Sequence, residues 1–143
     1  MKQSSGRQAR KLLAILPLLC ACAAQAEVVV VAGKGVEHMS KDQVADIFLG
    51  KASALPGGGT AMPIDQPEAS PLRDEFYSKV TGKSAAQAKS LWSKLAFTGK
   101  GTPPKEAGSS AEIKKTVAGT PGAIGYIEKS AVDDTVKVVF SAQ

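Results

Sequence analysis

The sequence has few of the side chains that usually bind transition metals. Its 143 residues include two cysteines, Cys20 and Cys22, and one histidine, His38. Both cysteines precede residue 27, where we expect the mature chain to begin, so the mature protein has neither a disulfide nor a thiol. One histidine leaves too few nitrogen and sulfur ligands for a transition-metal site. We therefore expect no metal and no cofactor, and we interpret His38 as a solvated loop residue.

The sequence also lacks an apolar run long enough to span a bilayer. The run over residues 12–24 contains Pro17 and is shorter than the roughly 20 residues that a spanning helix needs. It follows several basic residues and ends in Ala24-Gln25-Ala26, as in a cleaved secretory signal peptide. We predict a signal peptide over residues 1–26, one mature domain over residues 27–143 and a periplasmic location. Leu19-Cys20-Ala21-Cys22 leaves open a lipoprotein anchored through Cys22.

An excess of charge is missing from the mature chain. The full chain has a formal net charge of +5, but residues 1–26 hold four basic residues and no acidic ones. The mature chain therefore holds 14 basic residues against 13 acidic residues. A protein that binds nucleic acid normally carries a clear basic footprint for the phosphate backbone. We therefore expect no nucleic-acid partner.

Hydrophobic patterning predicts one α/β domain with a small mixed sheet flanked by helices. A β-branched run at Val28–Ala32 predicts a strand buried on both faces, and Ser40, Ser70, Ser84 and Ser109 are placed as helix N-caps. The glycine- and proline-rich segment 98–108 predicts an irregular loop. The predicted strands are 28–32, 61–65, 123–127 and 135–140, and the predicted helices begin near residues 41, 71, 85 and 110.

Motifs of catalysis are absent as well. Ser70, His38 and Asp65 could form a triad on paper, but the Gly-x-Ser-x-Gly turn that presents a nucleophile is missing. The segment Gly99-Lys100-Gly101-Thr102 follows a predicted helix, whereas a phosphate-binding loop opens one. We therefore expect that the protein is not an enzyme.

The turn before the second helix is a candidate anion site. A strand ends at Asp65, Ser70 is placed as the N-cap and Pro71 takes the first helical position. We expect the N–H groups of Leu72 and Arg73 to be unpaired and the helix dipole to attract an anion. The Ser70 hydroxyl could donate to that anion, and Arg73 could add a positive charge. The alternative is that Ser70 is only an N-cap and Arg73 a solvated helical residue.

Three sequence blocks resemble a known family. They are Asp65-Gln66-Pro67-Glu68-Ala69-Ser70-Pro71-Leu72-Arg73-Asp74-Glu75-Phe76-Tyr77, Leu91-Trp92-Ser93-Lys94-Leu95-Ala96-Phe97-Thr98-Gly99-Lys100-Gly101 and Thr120-Pro121-Gly122-Ala123-Ile124-Gly125-Tyr126. In this order they resemble the small single-lobe proteins of the phosphate-binding-protein-like family, which are similar to one lobe of the substrate-binding proteins of phosphate ABC transporters. The resemblance implies a single lobe of a type II periplasmic-binding-protein-like α/β fold.

The resemblance also implies where an oxyanion such as phosphate would bind. In the full-length phosphate binders the turn carries an arginine, an aspartate and a Ser-Gly-Thr run. Aligning the turn of this sequence with theirs places Ser70 at the position of the serine, Gln66 at that of the arginine and Glu68 near that of the aspartate. Pro71 and Leu72 then replace the glycine and threonine. The implied ligand-binding residues are Gln66, Glu68, Ser70, Leu72 and Arg73.

The same resemblance implies an exported protein that binds phosphate or a related oxyanion in ABC-type transport or sensing. An ABC permease or a membrane sensor would be its partner, and a homodimer could complete the half-cleft of a single lobe. Lys100, Thr102 and the Tyr126 hydroxyl are candidates for a second wall of the site. The alternative function is an interaction module that binds no solute and docks on a membrane receptor or an envelope complex.

Overall fold

Five strands form one mixed sheet in residues 27–142, the part of the chain that the computed structural model describes. The strands are β1 (Val28–Ala32), β2 (Met62–Asp65), β3 (Lys105–Glu106), β4 (Ala123–Glu128) and β5 (Lys137–Ala142). Their order in the sheet is β3-β2-β4-β1-β5. β1 pairs antiparallel with β4 and β5, whereas β2 pairs parallel with β3 and β4. The predicted signal peptide and the alternative lipid anchor at Cys22 lie outside the described residues.

Within the same described residues, four α-helices and two short helical segments surround the sheet. They are α1 (Lys41–Phe48), α2 (Pro71–Phe76) with a π-helical turn (Tyr77–Thr81), α3 (Ala85–Phe97), α4 (Ser110–Gly119) and a 3-10 turn (Lys129–Ala131). Reciprocal capping boxes begin α1 at Ser40 and α3 at Ser84, and the Ser109 hydroxyl accepts from the Glu112 N–H at the start of α4. These boundaries confirm the predicted helices. No helix within residues 27–142 is long and apolar enough to cross a membrane.

The sheet is buried on both faces, which explains the unbroken apolar sequence of β1. Val28 and Val30 pack in a core with α1, α2 and the π-helical turn. Val29 and Val31 point to the other face, where they pack with Ile113 of α4. Because successive strand residues alternate between faces, a strand covered on both sides needs an apolar side chain at every position. The predicted α/β fold with a small mixed sheet is confirmed.

Two strand predictions were wrong in detail. β3 lies inside segment 98–108, which was predicted to be irregular, because Lys105 and Glu106 pair with Ile64 and Asp65 of β2. A strand of two residues that depends on pairing with a distant segment shows no periodic pattern in its own sequence. The last strand begins at Lys137 instead of residue 135, because the Asp133 carboxylate accepts from the Thr135 N–H and holds this segment in a turn.

The parallel part of the sheet determines where a site can form. β2, β3 and β4 run in the same direction, so their carboxyl ends meet at one edge. α2 and α4 begin just beyond that edge, after Asp65 and Glu106 respectively. In open α/β sheets, ligands bind in the crevice outside the carboxyl ends of the strands.

Candidate ligand-binding site

A cleft of about 630 Å³ lies at this carboxyl edge. Three chain segments form its walls: the turn before α2, the start of α4, and the end of β4 with the following 3-10 turn. The lining residues are Gln66, Pro67, Ser70, Gly108, Ser109, Ser110, Ala111, Glu128, Ser130 and Ala131. Four of the ten are serines, so the cleft is rich in neutral hydroxyl donors.

Gln66 connects the two helix starts beneath the cleft. Its side chain is buried, and Nε2 donates to Ser110 Oγ at 2.9 Å and to the Tyr126 carbonyl oxygen at 3.1 Å. Both amide hydrogens of the side chain are therefore already in use. The sequence predicted Gln66 as a ligand-binding residue, and the structure places it in the cleft as the support that fixes Ser110.

Ser110 holds a carboxylate in the cleft. Its hydroxyl accepts from Gln66 and donates to Glu128 Oε2 at 2.5 Å. Glu128 is half-buried at the end of β4. Neither lysine nor arginine is among the lining residues, so the cleft combines neutral donors with one acidic group.

Ser70 begins α2 with its hydroxyl unused. The residue has an extended backbone, with φ −73° and ψ 124°, and its side chain makes no capping hydrogen bond. The Arg73 N–H donates to the Ser70 carbonyl oxygen at 3.1 Å, so the prediction that this N–H is free was wrong. The Leu72 side chain is buried in the core. Ser70 therefore contributes a hydroxyl to the cleft.

Arg73 is turned away from the cleft. Its Nη2 lies 3.5 Å from Asp65 Oδ2, and both side chains are almost entirely buried. The guanidinium also stands 6.0 Å from the centre of the Tyr77 ring. The Arg73 guanidinium, which was expected at the Ser70 turn, thus forms an internal ion pair with the buried Asp65 carboxylate.

Asp65 is the centre of a buried polar cluster. Tyr77 donates to its Oδ2 at 2.8 Å, Tyr126 donates to its Oδ1, and the Gln66 N–H donates to the same Oδ1 at 3.0 Å. Burial raises the pKa of the Asp65 carboxyl, and the two tyrosine hydroxyls and Arg73 oppose that rise. Burial and the Asp65 charge raise the pKa of both tyrosines.

The residues predicted as a second wall lie elsewhere. Tyr126 is fully buried with its hydroxyl bonded to Asp65, so it does not line the cleft. Lys100 and Thr102 are exposed in the loop after α3, and they do not line the cleft either. Lys100, Thr102 and Tyr126 are therefore not part of this cleft, and the loop after α3 reaches a different cavity through Pro103 and Pro104. Their role at a ligand stays a prediction.

That second cavity has a volume of about 300 Å³ and lies beside α3. Its lining includes Trp92, Pro103, Pro104, Arg73 and Glu68. Glu68, another residue predicted to bind the ligand, forms an exposed ion pair with Lys89 at 2.8 Å. Of the predicted ligand-binding residues, Gln66 and Ser70 line the cleft, Glu68 and Arg73 line this second cavity, and Leu72 belongs to the core.

The other half of the cleft could not be predicted from local sequence patterns. Ser109, Ser110, Glu128 and Ser130 were not predicted as site residues. One signal was present, because Ser109 was identified as an N-cap in the same way as Ser70. The link between the two helix starts requires the parallel pairing of β2 with β3 and β4, which the sequence did not reveal. Within residues 27–142, no group of three or more acidic, histidine or cysteine side chains is arranged to hold a metal ion.

Solved structures share this architecture. A chain from Clostridium perfringens, described as a phosphate ABC transporter substrate-binding protein with bound phosphate, superposes with a TM-score of 0.65 and 27% sequence identity. The match covers 80% of this chain and 44% of that one. The protein has the fold of a phosphate ABC transporter substrate-binding protein over about half of that protein's length.

Two further structures agree with this assignment of the fold. An ABC-type phosphate transport receptor from Vibrio cholerae superposes with a TM-score of 0.62 at 17% identity, and PstS from Borrelia burgdorferi with 0.60 at 12%. Each match covers 80% of this chain and 45% or 46% of the other. No protein-family model and no curated protein sequence matches the chain. The predicted resemblance to one lobe of these transport proteins is therefore confirmed at the level of structure.

Proposed function

We propose that this protein is an exported binding protein for a small oxyanion of the phosphate class, acting in ABC-type transport or sensing. The observation that carries the proposal is the convergence of two helix starts and four serines on one cleft. The cleft lies on a fold shared with a protein whose structure contains phosphate.

Neutral donors are suited to this task. α4 begins at the cleft with Ser110 and Ala111, and the first N–H groups of a helix attract negative charge through the helix dipole. Ser70, Ser109 and Ser130 add hydroxyls that can donate to ligand oxygens. An oxyanion can therefore be bound by hydrogen bonds without a cation in the lining.

Glu128 makes the state of protonation of the ligand important. A carboxylate in the lining repels an oxyanion that carries no proton, and it accepts a hydrogen bond from one that does. Hydrogen phosphate carries such a proton near neutral pH, whereas sulfate does not. We therefore expect Glu128→Gln to weaken the preference for phosphate over sulfate, as measured by calorimetric titration with each anion.

The direct test is a phosphate titration followed by thermal unfolding of the protein expressed from its full-length sequence. Phosphate at 100 times its dissociation constant stabilises the folded state by about 2.7 kcal/mol, which corresponds to an increase in Tm of about 10 °C for a domain of this size. We expect Ser70→Ala and Ser110→Ala to reduce the increase. Ser93→Ala is the matched control, because Ser93 lies on α3 and donates to the Lys89 carbonyl oxygen. An unchanged Tm with phosphate in the parent protein contradicts the proposal.

A second candidate function is a module that binds a protein partner and no solute. The observation that favours it is the absence of lysine and arginine from the cleft lining, together with the full use of the Gln66 amide hydrogens. In this case an ABC permease, a membrane sensor or an envelope complex would be the partner. Cross-linking in intact cells at the cleft edge, for example from Ser130, would then recover the same partner with and without phosphate.

A further inference from the structure

Charge is distributed very unevenly along the described chain. Between Glu75 and Glu106 the sequence contains six lysines and no acidic residue. The rest of residues 27–142 contains eight basic residues and 13 acidic residues. The near-neutral domain therefore has one strongly basic segment, which consists of the π-helical turn, α3 and the loop that follows α3.

The basic segment contains one large apolar side chain that nothing covers. Phe97, the last residue of α3, is 93% exposed. Ala88 and Trp92 hold the opposite face of α3 against the core, and the Trp92 Nε1 donates to the Phe48 carbonyl oxygen at 2.8 Å. The helix is therefore fixed in an orientation that keeps Phe97 in solvent.

Lysines flank Phe97 along the sequence. Lys94 precedes it by three residues, which makes the two side chains neighbours on the helix surface, and Lys100 follows it by three residues. Both lysines are exposed, and the ion pairs found within residues 27–142 involve neither of them. Four and seven residues before Phe97, the same face carries Ser93 and Ser90, which are small and exposed.

We propose that this surface, formed by Lys94, Phe97 and Lys100, binds the anionic headgroup region of a lipid bilayer. A lone aromatic ring between unpaired lysines suits a bilayer surface, where the ring enters the headgroup boundary and each lysine attracts anionic lipid. A protein interface fits less well, because lysine is depleted from the centre of such interfaces and small serines offer little apolar area to bury.

Co-sedimentation with vesicles tests the proposal. The protein is expressed from its full-length sequence, and its N-terminus is determined by mass spectrometry so that all variants are compared in the same form. We expect binding to phosphatidylcholine vesicles that contain phosphatidylglycerol, and little binding to vesicles of phosphatidylcholine alone. Lys94→Gln and Lys100→Gln should each reduce the partition coefficient about fivefold, and Phe97→Ser about tenfold.

Two further measurements separate this surface from other causes of binding. Lys115→Gln is the matched control, because Lys115 is exposed on α4 at the opposite face of the sheet, and it should leave most of the binding intact. In the variant Phe97→Trp, the fluorescence of the added tryptophan should shift to the blue when anionic vesicles are present. Equal binding of the Lys94, Phe97 and Lys115 variants overturns the proposal. The proposal is also overturned if the protein does not bind vesicles but forms a concentration-dependent oligomer that Phe97→Ser abolishes. That result assigns the surface to a protein partner.

Discussion

At the scale of single residues, Asp65 organises the interior next to the cleft. It is 4% exposed and accepts hydrogen bonds from Tyr77, Tyr126 and the Gln66 N–H. Through Gln66, the cluster is connected to Ser110 and so to the cleft. The sequence placed Asp65 at the end of a strand and, on paper, in a triad. It did not reveal the two tyrosine partners, because they lie 12 and 61 residues away.

Asp65 should make the stability of the protein depend on pH. Because burial raises its pKa in the folded state, the folded protein binds the proton more tightly than the unfolded chain does. This contribution to the free energy of unfolding is therefore largest below the ordinary carboxyl pKa and decreases as pH rises through the raised pKa. Urea denaturation from acidic to neutral pH measures how the free energy of unfolding changes with pH. If the Asp65→Asn variant shows the same pH dependence as the parent, this residue is not its source.

Removing one donor from this carboxylate should have a pH-dependent effect. Tyr77→Phe deletes the hydroxyl that donates to Asp65 Oδ2 and should lower the free energy of unfolding by about 1–3 kcal/mol near neutral pH. The loss should be smaller in acid, where Asp65 is protonated and the deleted bond is no longer assisted by charge. Urea denaturation at two pH values checks this, and a loss that is equal at both would contradict it.

At the scale of secondary-structure elements, the close approach of α4 to β4 fixes the position of Ser109 and Ser110. A Cβ added at Gly125 of β4 would lie 2.5 Å from Ile113 Cγ2 of α4 and 3.6 Å from the Ile64 carbonyl oxygen. Glycine at this position lets the helix rest directly on the sheet. The position of the cleft wall therefore depends on a residue that does not line the cleft.

Gly125→Ala should displace α4 and weaken the protein and its site together. We expect a loss of about 1–3 kcal/mol in the free energy of unfolding from overpacking, and weaker phosphate binding because Ser110 moves with the helix. Gly119→Ala is the matched control, because a Cβ there meets nothing within 4 Å and alanine favours a helix. Denaturation and phosphate titration of both variants check this, and a Gly125→Ala protein as stable as the parent would show that α4 adapts without cost.

The helices and strands differ in how well the sequence predicts them. Local rules predicted the capped helices, since Ser40, Ser84 and Ser109 meet partners only three residues away. The same rules predicted β1 from its own side chains. They could not predict β3 or the contact between Ser110 and Glu128, because both depend on segments brought together by the sheet. A local rule predicted that the Arg73 side chain stays at the start of α2. In the structure it pairs with Asp65 instead, because a buried carboxylate without a partner would destabilise the fold.

At the scale of the whole molecule, the cleft is open on one side. The match covers 44–46% of the length of the transport proteins that the chain resembles, so the described residues would form one side of the proposed ligand site. The resemblance to one lobe predicts that a homodimer could complete the half-cleft. A ligand bound between two copies favours the dimer by mass action.

Phosphate should therefore increase the fraction of dimer if a second copy closes the cleft. Sedimentation velocity at fixed protein concentration, with and without phosphate, measures this fraction. Ser110→Ala should reduce the increase, whereas Ser93→Ala should not. A monomer at every phosphate concentration that also shows a phosphate-dependent Tm would assign the closing role to a different partner.

The antiparallel pairing of β1 has a consequence for the order in which the molecule can fold. The first described strand has both of its neighbours, β4 and β5, at the far end of the chain. Contacts between such distant segments form late, because the entropy of closing a long loop must be overcome first. During synthesis, β1 has no strand to pair with until residues 123–142 have left the ribosome. The sheet therefore cannot be completed until these last strands have been synthesised, an order of assembly that is compatible with the export proposed above.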